Sequence, residues 1–291
     1  MNRRRGYVAL FVTLLIWGST FLVTKVILRE IGPLVLTGLR FVIAFIALYL
    51  VSARRGFRFA SILRPNYLLL GLTGTALFYT LQNVGLNNTS ISSTVLIQSC
   101  TPALTAGLAV VFLHERLNLR QILGLALVTG GVIVVGLTSP VGGDSHQPLL
   151  GNLLIFGSAV AWAIYTIQVR RLVAGEPALA MTTAATGAGL IFLLPLAGWE
   201  LWSHGLPHLS LAGLLGIVYL GVVASGLTMF LWNYSLSFLP ASVASPYINL
   251  IPFIGLASGL FLGEQVPLAQ WLGGGVAIAG VWLSSAQAQS Q

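Results

Sequence analysis

Charge is scarce in this chain. Its 291 residues hold 14 Lys and Arg and 6 Asp and Glu, 7% in all, where a soluble domain carries about 25%. A surface of this size cannot be kept in water by so few charges, which excludes a soluble protein. Cysteine is nearly absent. The single Cys100 excludes an internal disulfide, and with the scattered His114, His146, His204 and His208 it forms no metal-ligand spacing. Carboxylates are missing from the middle of every apolar stretch: Glu30, Glu115, Asp144, Glu176, Glu200 and Glu264 all fall at stretch ends or in loops, as do the four histidines. A membrane-embedded acyl or prenyl transferase would need a catalytic cluster that is not there. A proton-coupled carrier commonly places such a group in mid-membrane. The reading is therefore of no enzyme, no metal, no cofactor and no dedicated carboxylate proton relay.

What is present is apolar length. Hydrophobic residues make up 56% of the chain and the mean hydropathy is +0.92. Spans of about 20 residues fit at 7–28, 33–53, 66–86, 92–113, 119–138, 150–172, 178–200, 210–236, 241–262 and 267–286. What is left suffices only for ends and short loops. Turn chemistry separates the spans at Gly32-Pro33, Arg64-Pro65, Asn87-Asn88, Glu176-Pro177, Pro207, Pro240 and Pro267, with the longest polar loop, Ser139 to Pro148, at the middle. The first run, Tyr7 to Leu28, is too long for a signal-peptide core and ends in no small-residue cleavage site, so it reads as a retained span.

The net charge of +8 does not indicate nucleic acid, because the arginines flank apolar segments rather than line one face. With a cytoplasmic N-terminus, Arg3, Arg4, Arg5, Arg54, Arg55, Arg58, Arg64, Arg116, Arg120, Arg170 and Arg171 all fall inside. Only Lys25, Arg29 and Arg40 lie towards the other side. An even number of spans returns the C-terminus to the cytoplasm of a plasma (inner) membrane. Lys25 and Arg40, near span ends, are expected to snorkel or to attract a substrate carboxylate.

The two halves repeat each other. A shift of 145 pairs Gly6 with Gly151, Thr13 with Ser158, Trp17 with Trp162 and Thr20 with Tyr165; a shift of 150 pairs Asn83 with Asn233, Ser92 with Ser242 and Pro102 with Pro252. A shift of 149 pairs Glu115 with Glu264, Gly124 with Gly273 and Gly131 with Gly280. Five spans is an odd number, so the second half enters the membrane upside down. The predicted fold class is an all-α integral membrane protein, ten transmembrane helices as two inverted five-helix repeats: 1–138, a linker loop 139–149, and 150–291. Inverted repeats are characteristic of secondary transporters with a midplane site between the halves.

Particular stretches carry a family resemblance. They are Leu15-Ile16-Trp17-Gly18-Ser19-Thr20-Phe21, Gly85-Leu86-Asn87-Asn88-Thr89-Ser90, Phe112-Leu113-His114-Glu115-Arg116-Leu117 with Gln121-Ile122-Leu123-Gly124, and their echoes Phe261-Leu262-Gly263-Glu264-Gln265 and Trp271-Leu272-Gly273. Over nearly its whole length the chain resembles the drug/metabolite transporter superfamily, in particular its EamA-type ten-span exporters. His114 departs from the pattern, where a glycine usually precedes the glutamate; Gly263 keeps it. The resemblance implies inner-membrane export of small metabolites, and the branch exporting amino acids, aromatic ones included, is the nearest.

Polar and aromatic residues on helix faces supply the candidate site. Thr13, Trp17, Thr20 and Thr24 form one helical stripe, repeated by Ser158, Trp162 and Tyr165. Trp17 and Trp162 fall near mid-span, although tryptophan prefers the interfaces; they either wall a site or pack between helices. Trp17, Thr20, Tyr79, Asn83, Gln98, Trp162, Tyr165, Tyr247 and Asn249 are the candidate substrate-binding residues. Asn233 and the mid-span prolines Pro102 and Pro252 are the candidate gating residues. This set suits neutral or zwitterionic solutes moved by alternating access, downhill or by exchange. A nucleotide-sugar, phosphate-ester or drug-type cation transporter is the alternative. The expected partners are the bilayer and the solute. Gly130-Gly131 and Gly273-Gly274-Gly275 suit packing within one chain or a homodimer contact equally.

Overall fold

The computed structural model describes residues 2–113, 119–138, 147–172, 177–239, 247–248, 251, 254 and 259–285. All regular structure among these residues is helical: α1 (Asn2–Ile27), α2 (Pro33–Ala53), α3 (Pro65–Leu70), α4 (Phe78–Asn88), α5 (Ile91–Gln98), α6 (Thr101–Leu113), α7 (Leu119–Leu137), α8 (Pro148–Leu172), α9 (Ala178–His204), α10 (Leu211–Gly221), α11 (Thr228–Leu236) and α12 (Leu268–Ser285), with a short 3₁₀ turn at Phe59–Leu63. In hydrocarbon a chain must satisfy its own backbone groups, and helices do so within one segment. Among the described residues, five helices are long and apolar enough to cross a membrane: Arg4–Ile27, Pro33–Ala53, Pro148–Val169, Ala178–His204 and Leu211–Ser235.

Local chemistry sets the helix ends. Proline stands at the first position of α2 and of α3, where a missing N–H costs nothing. Gly205, at φ +81°, ends α9 in a conformation that glycine adopts without strain.

Two rods are joined by π-helix, an irregularity the apolar periodicity does not predict. Gly71–Leu77 links α3 to α4, and Val222–Leu227 links α10 to α11. The two stretches lie at equivalent places in the halves. The fourth predicted span is also irregular: turn residues Ser99 and Cys100 divide α5 from α6, immediately before Pro102.

Helix contacts recur in symmetric pairs. α8 packs on α4 as α1 packs on α11, while α2 pairs with α9 and α7 with α12. The α7–α12 crossing is a backbone contact: a Cβ on Gly131 would stand 2.4 Å from Gly273 O, and one on Gly280 would stand 2.6 Å from Gly124 O. These glycines, and Gly274 against Leu96, are used within the chain, whereas Gly130 and Gly275 have nothing within 4 Å of where a Cβ would stand.

The exterior is apolar, as lipid requires: Phe11, Leu50, Leu153, Leu194 and Leu215 are exposed. Trp199, Trp202, Trp271 and Trp282 are exposed as well, whereas Trp17, Trp162 and Trp232 converge inside.

At one end of the bundle three carboxylates receive helix N-termini, where unpaired N–H groups favour negative charge. Glu200 accepts from Val35 N (2.7 Å) at the start of α2. Glu264 accepts from Ile91 N (2.7 Å), Ser92 N (3.0 Å) and Ser92 Oγ (2.7 Å) at the start of α5. Glu30 accepts from Ser210 N and Ser210 Oγ, both 2.8 Å, at the start of α10. Glu264 thus anchors a helix end. Its sequence counterpart Glu115 lies outside the described residues.

Candidate functional site

A cavity of about 60 Å³ opens between the halves. Helices α1, α2, α4, α5 and α8 wall it, with Ile248 and Ile251 from the ninth predicted span. Its tryptophans belong to a ring cluster. Trp17 and Trp162 meet edge to face at 5.6 Å between centroids, Trp17 lies 5.5 Å from Trp232, and Phe78 lies 4.6 Å from Trp162. Edge-to-face and offset contacts at such separations are favourable beyond the area they bury.

The internal symmetry of the sequence is broken here in one useful way. Trp17 Nε1 donates to Thr228 Oγ1 at 2.9 Å. At the equivalent place beside Trp162 stands Phe78, a ring without a hydroxyl, and Trp162 Nε1 has no hydrogen-bond partner among the described residues.

The candidate residues divide into three groups. Trp17, Thr20, Tyr79, Gln98 and Trp162 line the cavity together. Gln98 Nε2 donates to Ser158 Oγ at 3.1 Å, and Thr20 Oγ1 donates to Trp17 O at 2.6 Å.

Asn83, Asn233 and Tyr165 are buried behind the wall instead. Asn83 Nδ2 donates to Thr37 Oγ1 at 2.8 Å, and Asn233 Nδ2 donates to Thr182 Oγ1 at 2.7 Å. The same bond is made twice, because Thr37 and Thr182 differ by the shift that relates Trp17 to Trp162. Tyr165 packs with its ring centroid 5.0 Å from that of Trp162, tilted by 42°, and fills the space left by Gly74, where a Cβ would stand 2.2 Å from its ring.

Tyr247 sits 40% exposed, 6.1 Å from the Tyr7 ring, away from the cavity. Pro102 lies one residue inside α6, at the break after α5. Asn249 and Pro252 lie outside the described residues.

Of the two readings open for Lys25 and Arg40, snorkelling is not what the structure shows. Lys25 is buried and its Nζ donates to Leu86 O (2.7 Å) and Thr89 O (2.8 Å), at the C-terminal end of α4, where a cation is favoured. Arg40 is 2% exposed and lines the cavity. Its Nε donates to Ser225 Oγ and its Nη2 to Ala224 O at 3.3 Å, both on the second π stretch. Phe78, Gln82, Val95 and Ser99 are further lining residues that the stripes did not single out. For Gln82 the signal was its adjacency to Asn83. For Arg40 no periodicity separates an inward side chain from a snorkelling one.

Comparison with known proteins gives a consistent set of likenesses. Residues 4–137 and 149–286 each match the EamA-like transporter family. A Streptantibioticus cattleyicolor protein called "Probable terminal-alkyne amino-acid exporter" is 29% identical over 97% of this chain and 94% of its own length. An Escherichia coli protein called "Probable amino-acid metabolite efflux pump" is 29% identical over 98% of this chain and 95% of its own length. A protein of known crystal structure superposes with a TM-score of 0.65 at 17% identity, covering 99% of this chain and 100% of that one; this likeness concerns the fold.

Proposed function

Because the chain belongs to the EamA-like transporter family, we propose that it exports amino acids and related neutral or zwitterionic solutes across the cell inner membrane by alternating access. The coarser statement, a membrane-embedded small-molecule exporter, stands on the family and on its curated relatives. The finer one rests on the cavity. Its lining of indoles, a phenol, amides and hydroxyls, with wall residues from both halves, suits a small solute with an apolar side chain.

The reading includes ten spans with both termini cytoplasmic, as the arginine distribution favours. It also includes two gates about the cavity, one near Gln98 and one near Asn249, with Pro102 and Pro252 as bending points. The buried Asn83–Thr37 and Asn233–Thr182 bonds tie α4 to α2 and α11 to α9 as rigid pairs, so motion falls between pairs. Exchange or downhill transport fits the lining, in which no carboxylate or histidine stands among the described residues. A phosphate-ester substrate calls for more cationic groups than Arg40 supplies, and a permanent cation would meet that arginine.

Liposome uptake across a panel of amino acids tests the proposal, with Trp162→Ala and Trp162→Phe alongside. The expected result is saturable uptake, reduced about tenfold or more in Trp162→Ala and largely kept in Trp162→Phe. Flux that rises linearly with concentration, or a Trp162→Ala variant indistinguishable from the unaltered protein, contradicts it.

A further inference from the structure

We infer that Arg40 is the carboxylate-binding residue of the cavity, so that the carrier selects solutes bearing a free carboxylate. The inference rests on the carrier reading above and deepens it. Its starting point is a cost. A cation withdrawn from water is unfavourable by several kcal/mol unless an anion offsets it, and ionisable groups inside membrane bundles mark substrate pathways. Arg40 has no carboxylate partner among the described residues. The three described carboxylates, Glu30, Glu200 and Glu264, are each committed to a helix N-terminus. What Arg40 has is orientation. Nε is fixed by Ser225 Oγ, which in turn donates to Leu220 O at 2.8 Å, Nη2 reaches Ala224 O, and the guanidinium lies 4.6 Å from the Tyr79 ring centroid. Nη1 is left without a hydrogen-bond partner among the described residues, on a side chain that lines the cavity.

The other half of the molecule shows that the fold does not need this arginine. The residue related to Arg40 is Ala185, and the residue related to Ser225 is Thr75. The helix crossing is the same: a Cβ on Gly221 would stand 2.9 Å from Arg40 O, and one on Gly71 would stand 2.6 Å from Ala185 O. The crossing is thus made once with arginine and once with alanine. Thr75 Oγ1, in the place of Ser225 Oγ, is buried with no hydrogen-bond partner, because no guanidinium reaches it. An arginine kept on one side only, at the cost of burying its charge, is explained by a ligand and not by packing. A single planar fork carrying one charge matches a carboxylate. A phosphate ester, with up to two charges, would leave part of its charge uncompensated.

The test is competition in counterflow by proteoliposomes holding the whole protein. The competitors are one apolar amino acid, its N-acetyl derivative, its primary amide, its decarboxylated amine and an aryl phosphate. The two carboxylates are expected to compete at least about tenfold better than the amide, the amine and the phosphate. In Arg40→Gln the advantage of acid over amide is expected to vanish. Should that variant fail to fold, the ligand series on the unaltered protein still decides, and Arg40→Lys, which keeps charge without the fork, is expected to give an intermediate ratio. Equal competition by acid and amide, stronger competition by the phosphate, or an Arg40→Gln variant with an unchanged acid-to-amide ratio overturns the assignment while leaving the carrier intact. Absence of counterflow with every solute overturns the carrier reading on which it rests.

Discussion

The guanidinium of Arg40 lies 4.6 Å from the centre of the Tyr79 ring, and both side chains wall the same cavity. Cation–π attraction of this kind is worth ~2 kcal/mol once both groups are desolvated, too little by itself to offset burial of the charge. The remaining deficit is what an anionic ligand relieves. Lys25, the other buried cation, differs in kind. Its ammonium is spent on the carbonyl oxygens of Leu86 and Thr89, and it does not line the cavity.

The glycine crossing of α7 and α12 predicts a sharp contrast in stability. Gly131→Ala pushes a methyl group against Gly273 O, and it is expected to destabilise by about 1–3 kcal/mol. Gly130→Ala meets nothing within 4 Å and is expected to stay within about 0.5 kcal/mol of the unaltered protein. Thermal unfolding in detergent compares them; equal effects would mean that the crossing is not close-packed.

The Asn–Thr bonds predict coupling that is the same in both halves. Double-mutant cycles with Asn83→Ala and Thr37→Val, and with Asn233→Ala and Thr182→Val, are expected to give about 0.6–2 kcal/mol each. Each asparagine carries a buried Oδ1 with no partner, so all the coupling must come from Nδ2. A coupling near zero in either cycle contradicts the rigid-pair description.

At the bundle end, pH should act through Glu30. The hydrogen bonds from Ser210 N and then Ser210 Oγ hold its carboxyl below the usual value of 4.5. A lowered folded-state value means that its stabilisation is complete above 4.5 and is lost as pH falls through the lowered value. The melting temperature of the unaltered protein is expected to exceed that of Glu30→Gln by a constant margin at neutral pH, narrowing only below 4.5. A margin independent of pH down to strong acid would remove the carboxylate from this role.

Alternating access predicts opposed labelling at the two gates. In a Cys100→Ala background, which removes the one buried native thiol, cysteines placed at 98 and at 249 are expected to react in anticorrelated fashion as solute is added. Parallel changes contradict two alternating gates.

Much of this fold could be read from residue order. The duplication at shifts of 145 to 150 anticipates the symmetric helix pairs, and it relates the glycines at 124 and 273 and at 131 and 280, though not which helices they bring together. Trp17 and Trp162 could be placed because tryptophan in mid-span runs against its interfacial preference. The π stretches could not be read, since Gly71–Leu77 and Val222–Leu227 keep helical composition and only the backbone geometry differs. Asn83 and Gln98 look alike in sequence, yet one bonds a threonine on α2 and the other faces the cavity. That choice depends on which neighbour the helix rotation presents. The choice between the two readings of Arg40 was hidden for a related reason: a long cationic chain near a span end snorkels by default, and the Ser225 and Ala224 acceptors on the second π stretch hold it inward.

Counterflow in proteoliposomes tests the central claim most directly. Vesicles loaded with an unlabelled apolar amino acid are placed in a trace of the labelled one, with no ion gradient. A carrier working about this cavity predicts transient accumulation of label above its equilibrium level, with the overshoot abolished in Trp162→Ala. Simple equilibration without an overshoot, at a rate proportional to concentration, would contradict the account and indicate a channel.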